Sequence, residues 1–422
     1  MKRYEEYSIA ASLLTNEIPS HWTMMRNRVF LRPKFVPVGQ DANKYPLLSL
    51  TTKGIVFRDI ESGKGKFPKD FDTYQVVEPN DIVFCLFDVD ETPRTVGLSL
   101  LNGMLTGAYD TFSMSNIVIP KFINYYYTAV DDVKALRPYY SGLRKVVKKD
   151  KFMAILIPLP PIPEQEKIVA YLDKRITLIE NCKCQREREL QTLNELKQAE
   201  IASVVTRGLH PNVPMKDSGQ IQFEKVPAHW DTIKMKYCFN QRTEKGFPNE
   251  PVLCATQSKG VIPQSLYENR VVVVNKGFDG LKLVKVGDFV ISLRSFQGGI
   301  EYAYYQGIIS SAYTILTPKD ERNSKYFKYL FKSHPFIQLL QTCVTGIREG
   351  QNINYSVLGN NFIPVPPIEE QNAIVKYIES KTNKIDTMVE ALKAEIDRLT
   401  EYKQRLISDV VTGQIDVRGE QI

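Results

Sequence analysis

One long segment occurs twice in this sequence, and the repeat constrains the fold more than any other feature. Residues 158–206 begin with PLPPIPEQEKIVAYLDKRI and end with IASVVT, whereas residues 364–412 begin with PVPPIEEQNAIVKYIESKT and end with ISDVVT. Corresponding residues stay 206 positions apart without a gap. Because self-similarity at a fixed period is typical of repeated architectures, we expect the fold itself to be duplicated.

Each copy predicts a proline-rich entry followed by one long helix. Prolines interrupt a helix, so they predict extended chain at the entry; they are Pro160, Pro161, Pro163, Pro366 and Pro367. Acidic residues come next, where the helix dipole favours negative charge. No proline or glycine interrupts residues 165–207 or 371–412. At 1.5 Å per residue, about forty residues form a helix roughly 60 Å long, a length typical of a coiled coil.

Apolar residues recur every seven positions in the second helix, at Ile378, Ile385, Leu392, Leu399 and Leu406. The first helix carries Leu172, Ile179 and Leu193 at such positions, and Arg186 and Glu200 interrupt the series. A heptad seam of this kind predicts helix packing, and the two helices would most simply pair antiparallel within the chain as a coiled coil. The alternative is a helix that serves only dimerisation.

The segments between the helices are related more loosely. Pro-x-His-Trp occurs at residues 19–22 and 227–230, a Lys-Gly pair at 53–54 and 259–260, and a buried strand is predicted at 81–84 and 288–291. The residues between these matches differ, as expected for two related domains that recognise different targets. We therefore predict an α+β fold in four segments, namely residues 1–157, 158–206, 207–363 and 364–422.

The C-terminal tail resembles part of the linker between the two halves. Gly413-Gln-Ile-Asp416 is similar to Gly219-Gln-Ile-Gln222, which predicts that the tail begins a third repeat and docks beside the first domain.

Composition and motifs favour a binding protein. The net charge is +7, and because both long helices are close to neutral, the basic excess lies in the globular segments and suits a polyanion. A plain lysine-rich surface is the alternative. The six cysteines are scattered and no long apolar run occurs, so we expect a reducing, cytoplasmic location.

No catalytic signature occurs. The sequence lacks a glycine-rich phosphate loop, and the Pro-Pro pairs lack the polar residue with which amino-methyltransferases hold a target base. The four histidines form no close ligand pair, and we expect His21 and His229, each beside a tryptophan, to serve packing. We predict neither catalytic residues nor a metal site.

Taken together, the Pro-Pro-Ile-x-Glu-Gln helix entries, the Val-Val-Thr exits, the Pro-x-His-Trp entries and the Gly-x-Arg turns at Gly142 and Gly346 resemble specificity subunits of type I restriction-modification systems. The resemblance covers nearly the whole chain. It implies a non-catalytic subunit whose two target recognition domains each read half of a bipartite site in double-stranded DNA. It also implies recruitment of two modification subunits through the helices, with restriction subunits in the full complex.

The same resemblance implies that S-adenosylmethionine, ATP and Mg²⁺ bind to partner subunits and that this chain holds no cofactor. A stand-alone DNA-binding or scaffold protein is the alternative. Candidate DNA-contacting side chains are basic or amide residues in predicted loops. They are Lys53, Lys64, Lys66, Arg94 and Arg144 in the first domain, and Lys259, Arg294, Gln297 and Arg348 in the second.

Overall fold

The computed structural model describes residues 2–58, 71, 73–267, 277–320, 324–345 and 352–420. The chain divides into two compact units, residues 1–187 with 394–422 and residues 188–393. Each unit combines one α+β domain with part of each long helix. Among the described residues, no helix is long and apolar enough to cross a membrane.

The first half of the chain contains many short strands before one long helix. In order, the elements are β1 (Tyr7–Ile9), β2 (Glu17–Pro19), β3 (Thr23–Arg26), α1 (Asn27–Phe30), β4 (Leu31–Lys34), β5 (Leu48–Thr51), β6 (Gly54–Phe57), β7 (Tyr74–Val77), β8 (Ile82–Phe84), β9 (Val96–Leu98), β10 (Gly103–Thr106), β11 (Asp110–Met114), α2 (Pro120–Asp132), β12 (Tyr140–Ser141), β13 (Val146–Val147), α3 (Lys149–Ala154), β14 (Leu156–Leu159) and α4 (Ile162–Arg207).

The second half repeats the strand order of the first and adds two helices, α6 (Ser295–Gly298) and α8 (His334–Thr342). Its elements are β15 (Met215–Asp217), β16 (Lys225–Pro227), β17 (Asp231–Lys234), α5 (Met235–Cys238), β18 (Phe239–Arg242), β19 (Leu253–Thr256), β20 (Gly260–Pro263), β21 (Lys282–Val284), β22 (Phe289–Ile291), α6 (Ser295–Gly298), β23 (Glu301–Tyr302), β24 (Gly307–Ile309), β25 (Thr314–Pro318), α7 (Ser324–Leu330), α8 (His334–Thr342), β26 (Val344–Thr345), β27 (Asn352–Ile353), α9 (Tyr355–Leu358), β28 (Phe362–Val365) and α10 (Ile368–Val411).

Both domains are built on a four-stranded antiparallel sheet with the same topology. The strand order is β4-β11-β8-β9 in the first domain and β18-β25-β22-β23 in the second. The buried strands predicted at residues 81–84 and 288–291 are the central strands β8 and β22. A buried aspartate precedes each central strand and accepts a hydrogen bond from a cation at the end of another strand of the same sheet. Asp81 accepts from Lys34 of β4 (2.7 Å), and Asp288 accepts from Arg242 of β18 (2.9 Å).

Aromatic side chains fill the core of each domain. In the first domain, the ring centres of Phe84 and Phe152 each lie within 6 Å of those of Phe112 and Tyr127, and 4.7 Å from each other. Phe239, Phe289, Phe327 and Phe331 form the equivalent group in the second domain. The inner face of α2 belongs to the core of the first domain. The run Val271 to Val274, whose β-branched residues favour a strand, lies outside the described residues.

The last strand of each domain pairs with a strand near the start of the same domain, so the domain ends where its long helix begins. β3 pairs antiparallel with β14, and β17 pairs antiparallel with β28. α4 then starts at Ile162 and α10 at Ile368. Pro163 therefore lies within the first turn of α4, where a missing N–H costs no intrahelical hydrogen bond.

A buried glutamate in the first turn of α4 fixes the first domain to this helix. Glu164 accepts hydrogen bonds from the Tyr4 hydroxyl (2.5 Å), the Trp22 indole N–H (3.1 Å) and Nε2 of His21 (2.8 Å). Burial and the bond to Glu164 raise the pKa of Tyr4 above its usual range. The Pro-x-His-Trp motif is therefore a clamp on the helix start, because its two ring N–H groups meet the carboxylate.

The second domain uses the same clamp with one partner fewer. Glu370, in the first turn of α10, accepts hydrogen bonds from His229 Nε2 (2.7 Å) and the Trp230 indole N–H (2.9 Å). The histidines were predicted to pack near each domain entry, and the structure places both of them there, with the glutamates as their partners.

The C-terminal tail docks on the first domain, as predicted. The N–H of Asp416 donates to the carbonyl of Lys2 (2.8 Å), and the Tyr7 hydroxyl donates to the carbonyl of Gly413 (2.8 Å). The sequence similarity between residues 413–416 and 219–222 does not correspond to matched positions in the fold. Gly219 lies in the turn between β15 and β16. Gly413 instead follows α10, has φ +73° and packs on Trp22. Its structural counterpart is Gly208, which follows α4, has φ +76° and packs on Trp230.

The two long helices pack antiparallel within each unit. In the first unit, Lys403 donates to Glu180 (2.6 Å) and Arg186 to Glu395 (3.0 Å). In the second, Lys197 donates to Asp386 (2.5 Å) and Tyr377 to Glu200 (2.5 Å). In each unit, residues later in α4 contact residues earlier in α10, as expected for antiparallel helices. Arg186 and Glu200, which interrupt the apolar seam in the sequence, thus make polar contacts between the helices.

The predicted seam residues differ in burial along the helices. Leu172, Ile179 and Leu406 are buried in the core of the first unit, and Ile378 is buried in the core of the second. The side chains of Leu193, Ile385, Leu392 and Leu399 are half-buried. These seam residues are therefore most buried near the domains, and ion pairs between the helices accompany the half-buried ones.

Candidate nucleic-acid interface

A lysine occupies the tip of one β-hairpin in each domain, at matched positions. Lys53 lies between β5 and β6, and Lys259 lies between β19 and β20. In both hairpins a threonine hydroxyl accepts a hydrogen bond from the backbone N–H of the lysine: Thr51 from Lys53 (3.1 Å) and Thr256 from Lys259 (3.0 Å). The same hydroxyls donate to the carbonyl of the glycine that follows the lysine (2.9 Å in each). Both lysine side chains are exposed, so each tip presents a cation on a rigid backbone.

Arg144 lies at the tip of the β12–β13 hairpin in the first domain. Its guanidinium donates to Asp88 (3.0 Å) and lies 5.3 Å above the centre of the Phe87 ring, while its side chain remains 70% exposed. The neighbouring Leu143 is fully exposed. These contacts orient Arg144 without removing it from solvent, and its open face can still meet a phosphate.

Three exposed lysines next to this hairpin were not identified from the sequence. Lys148, Lys149 and Lys151 lie on and just before α3, and Lys149 also contacts Asp110 (3.1 Å). The run Lys-Lys-Asp-Lys at residues 148–151 could have indicated them, since clustered basic residues are typical of a surface that binds nucleic acid.

In the second domain, Arg294 directly precedes the one-turn helix α6 and Gln297 lies on it, just after the central strand β22. Both side chains are exposed. The turn is ordered by Ser295, whose hydroxyl accepts the N–H of Ser292 (2.9 Å). A short polar turn directly after a buried strand holds these two side chains in place, and arginine and glutamine are side chains that read base edges.

Two glycines follow Gln297 and pack inward. Paired glycines can let a backbone approach a phosphate, but these two lie against their own domain. A side chain on Gly298 would meet the Gln257 side chain at 3.1 Å, and one on Gly299 would meet the Phe331 carbonyl at 2.2 Å. Gly299 also has φ +85°, a region that favours glycine. The glycines therefore seat α6 on its own domain.

Arg94 lies inside the first domain rather than on its surface. Its guanidinium contacts Asp131 (3.1 Å) and Asp132 (2.9 Å) at the end of α2, and its side chain is only 18% exposed. Two carboxylates already satisfy its charge, so a DNA phosphate would have to compete with both. We do not include Arg94 in the interface and correct that assignment to an internal ion pair. Lys64, Lys66 and Arg348 lie outside the described residues.

The described residues contain no group of three or more histidine, cysteine, aspartate or glutamate side chains that could hold a metal ion. All six cysteines are free thiols. A cavity of about 600 Å³ lies beside the end of α4 in the second unit, but its charged lining is mixed, with Arg207 and Lys225 against Glu200 and Glu224. This cavity therefore does not concentrate charge of one sign, as a phosphate site would.

Apolar side chains remain exposed on both long helices. Leu178 and Tyr402 belong to the first unit, and Leu196 and Met388 belong to the second. Leu196 and Tyr402 are 206 positions apart and so occupy matched places in the repeat. Single exposed apolar side chains are ordinary on protein surfaces, and the matched spacing of Leu196 and Tyr402 is what sets this pair apart.

Comparison with known proteins identifies relatives with this architecture. The sequence model of the family described as type I restriction modification DNA specificity domain matches residues 106–192 and 220–398. Two specificity subunits from Methanocaldococcus jannaschii are similar to the chain. The putative type I restriction enzyme MjaX subunit is 24% identical over 64% of this chain, and the MjaVIII subunit is 25% identical over 66% of it.

These alignments span 62% of the MjaX subunit and 66% of the MjaVIII subunit, so the chain matches less than two thirds of either relative. A solved structure reported for complex assembly and conformational transition of the type I R-M system aligns with 94% of this chain and 99% of its own. Its TM-score is 0.66 at 17% identity, which shows a shared fold.

Proposed function

The chain belongs to the type I restriction-modification DNA specificity family, and we propose that it is the DNA sequence-recognition subunit of such a system. The observation that carries this proposal is the family match to both repeats, combined with the matched lysine hairpins of the two domains. Each domain would read one half of a bipartite target in double-stranded DNA.

The proposed division of contacts follows from how the side chains are held. Lys53 and Lys259 occupy matched positions in domains that otherwise differ, which suits phosphate contacts that carry no sequence information. Arg294 and Gln297 lie in a turn that has no counterpart in sequence, which suits base reading in the second half-site. Arg144 and the lysines of α3 would hold the backbone of the first half-site.

We assign the chemistry to partner subunits. Two modification subunits would dock on the long helices, where the exposed apolar residues Leu196 and Tyr402 occupy matched positions in the repeat. Methylation of adenine with S-adenosylmethionine and ATP- and Mg²⁺-dependent cleavage would then belong to the modification and restriction subunits. This chain would act as the non-catalytic scaffold, in the cytoplasm where the DNA lies.

Mapping of methylated adenines in the source genome tests the proposal. We expect one motif with two short specified parts separated by an unspecified gap. Replacement of residues 231–365 by the second domain of a related subunit should change only one of the two parts. A chain that purifies without a methyltransferase and leaves no such motif would instead support the stand-alone DNA-binding alternative.

A further inference from the structure

One lysine in the second domain connects the two loops that carry the candidate DNA contacts. Lys332, in the turn between α7 and α8, donates from Nζ to the carbonyl of Gln257 (3.2 Å), the carbonyl of Gly298 (2.9 Å) and Oε1 of Glu301 (2.5 Å). Gln257 belongs to the tip of the β19–β20 hairpin beside Lys259, and Gly298 ends α6, which carries Gln297.

Glu301 holds this lysine from the inside of the domain. Its side chain is 3% exposed, whereas that of Lys332 is 29% exposed. Within the part of the chain that the structure describes, Oε2 of Glu301 has no hydrogen-bond partner. Burial raises the pKa of Glu301 to about 7, and Lys332 opposes this rise. A buried carboxylate with an unsatisfied oxygen contributes little to stability. The role of Glu301 is therefore better explained by the position in which it holds Lys332.

The first domain has an ion pair at the same junction with the opposite polarity. There the cation, Arg94, precedes the edge strand β9, and the carboxylate, Asp131, lies at the end of α2. In the second domain the carboxylate, Glu301, begins the edge strand β23, and the cation, Lys332, follows α7. Both pairs join the edge strand to the helix that follows the sheet, although the residues are exchanged.

We propose that Glu301 and Lys332 are a positioning pair that sets the placement of the Arg294–Gln297 turn relative to the Gln257–Lys259 hairpin, and thereby determines which second half-site is recognised. This inference rests on the proposed function, because it concerns the specificity of the second domain. Lys332 acts through the two loops, and the bases would be read by the side chains that these loops carry.

The test uses the full chain in complex with its modification subunits and DNA duplexes in which either half-site is altered. For Lys332→Met, we expect discrimination between correct and altered second half-sites to fall about 10-fold or more, the scale of one lost base contact. Discrimination at the first half-site and the salt dependence of binding should not change. Lys319→Met is the matched control, since Lys319 also donates to a backbone carbonyl, that of Lys236 (3.2 Å), but touches neither loop.

Two further variants separate positioning from folding and from direct contact. Glu301→Gln keeps an oxygen acceptor for Lys332 and should retain more discrimination than Lys332→Met. The double variant Glu301→Lys with Lys332→Glu copies the polarity of the first domain and should recover part of the lost discrimination. Intact first half-site recognition in the same molecules shows that the complex is folded.

Three results would overturn the proposal: unchanged second half-site discrimination in Lys332→Met, an equal loss for the Lys319 control, or uniform weakening on all DNA with a shallower salt dependence. The last would make Lys332 a phosphate contact. A wild-type complex without preference at either half-site would refute the proposed function itself, a distinct outcome.

Discussion

Replacement of Glu164 by alanine is expected to destabilise the first unit more than the matched replacement of Glu370 destabilises the second. Both glutamates accept hydrogen bonds from a histidine and a tryptophan at the start of a long helix. Among the described residues, Glu164 alone of the two also accepts a bond from a buried tyrosine, Tyr4. The two sites therefore form a natural comparison within one chain.

The magnitude follows from the donors that each replacement would leave without a partner. Each buried donor that loses its acceptor costs about 1–3 kcal/mol. Tyr4 and Trp22 are both 5% exposed, so Glu164→Ala leaves two buried donors and should cost about 2–6 kcal/mol. Trp230 is fully buried, and Glu370→Ala therefore leaves one such donor, at about 1–3 kcal/mol. The histidines are about half exposed and can bond to water instead.

The two tryptophans of the chain allow each unit to be followed by itself. Trp22 belongs to the first unit and Trp230 to the second. Fluorescence during urea unfolding of a Trp230→Phe background reports the first unit, and a Trp22→Phe background reports the second. Glu166→Ala, at an exposed position in the same turn as Glu164, is the control for lost helix-dipole stabilisation.

The reasoning would be refuted if Glu164→Ala cost no more than Glu166→Ala, or if the Glu370 variant lost more stability than the Glu164 variant. Either outcome would show that the clamp does not stabilise the domain on its helix.

Three more outcomes are expected. Ile378→Ala should lower the free energy of unfolding by about 2–5 kcal/mol because this residue is 1% exposed in a packed core. Leu392 is only half-buried, so Leu392→Ala should lower it by about 1 kcal/mol. Equal losses of stability in urea unfolding would contradict this difference. Because the pKa of Glu301 is about 7 when folded and 4.5 when exposed, the folded state binds the extra proton between these values. Stability of the second unit should therefore fall as pH rises from about 4.5 to 7, by about 3 kcal/mol at most, and Glu301→Gln should remove that slope in pH-dependent unfolding. Lys259→Ala should weaken binding evenly across DNA sequences and lower the salt slope by about 1 in binding titrations; a change in sequence preference would instead make it a base contact.

Features that depend on local sequence were predictable. The long helices follow from uninterrupted helix-forming residues between prolines and the Val-Val-Thr exits, and the central strands from short apolar runs after a turn. The hairpin lysines could also be found, because Lys-Gly after a strand predicts an exposed turn at Lys53 and Lys259.

The duplication, the two helices and the related pair of domains can be read from the amino-acid order, because periodicity and backbone preference act over short stretches of chain. The use of each charged residue emerges from the fold, since the partners of these residues are far away in sequence. Arg186, which interrupts the helix seam, meets Glu395 on the other helix, and Arg94, which looks like a surface cation, is paired with Asp131. The energy of a charged side chain depends on burial and on the opposite charge beside it, and folding alone brings those groups together.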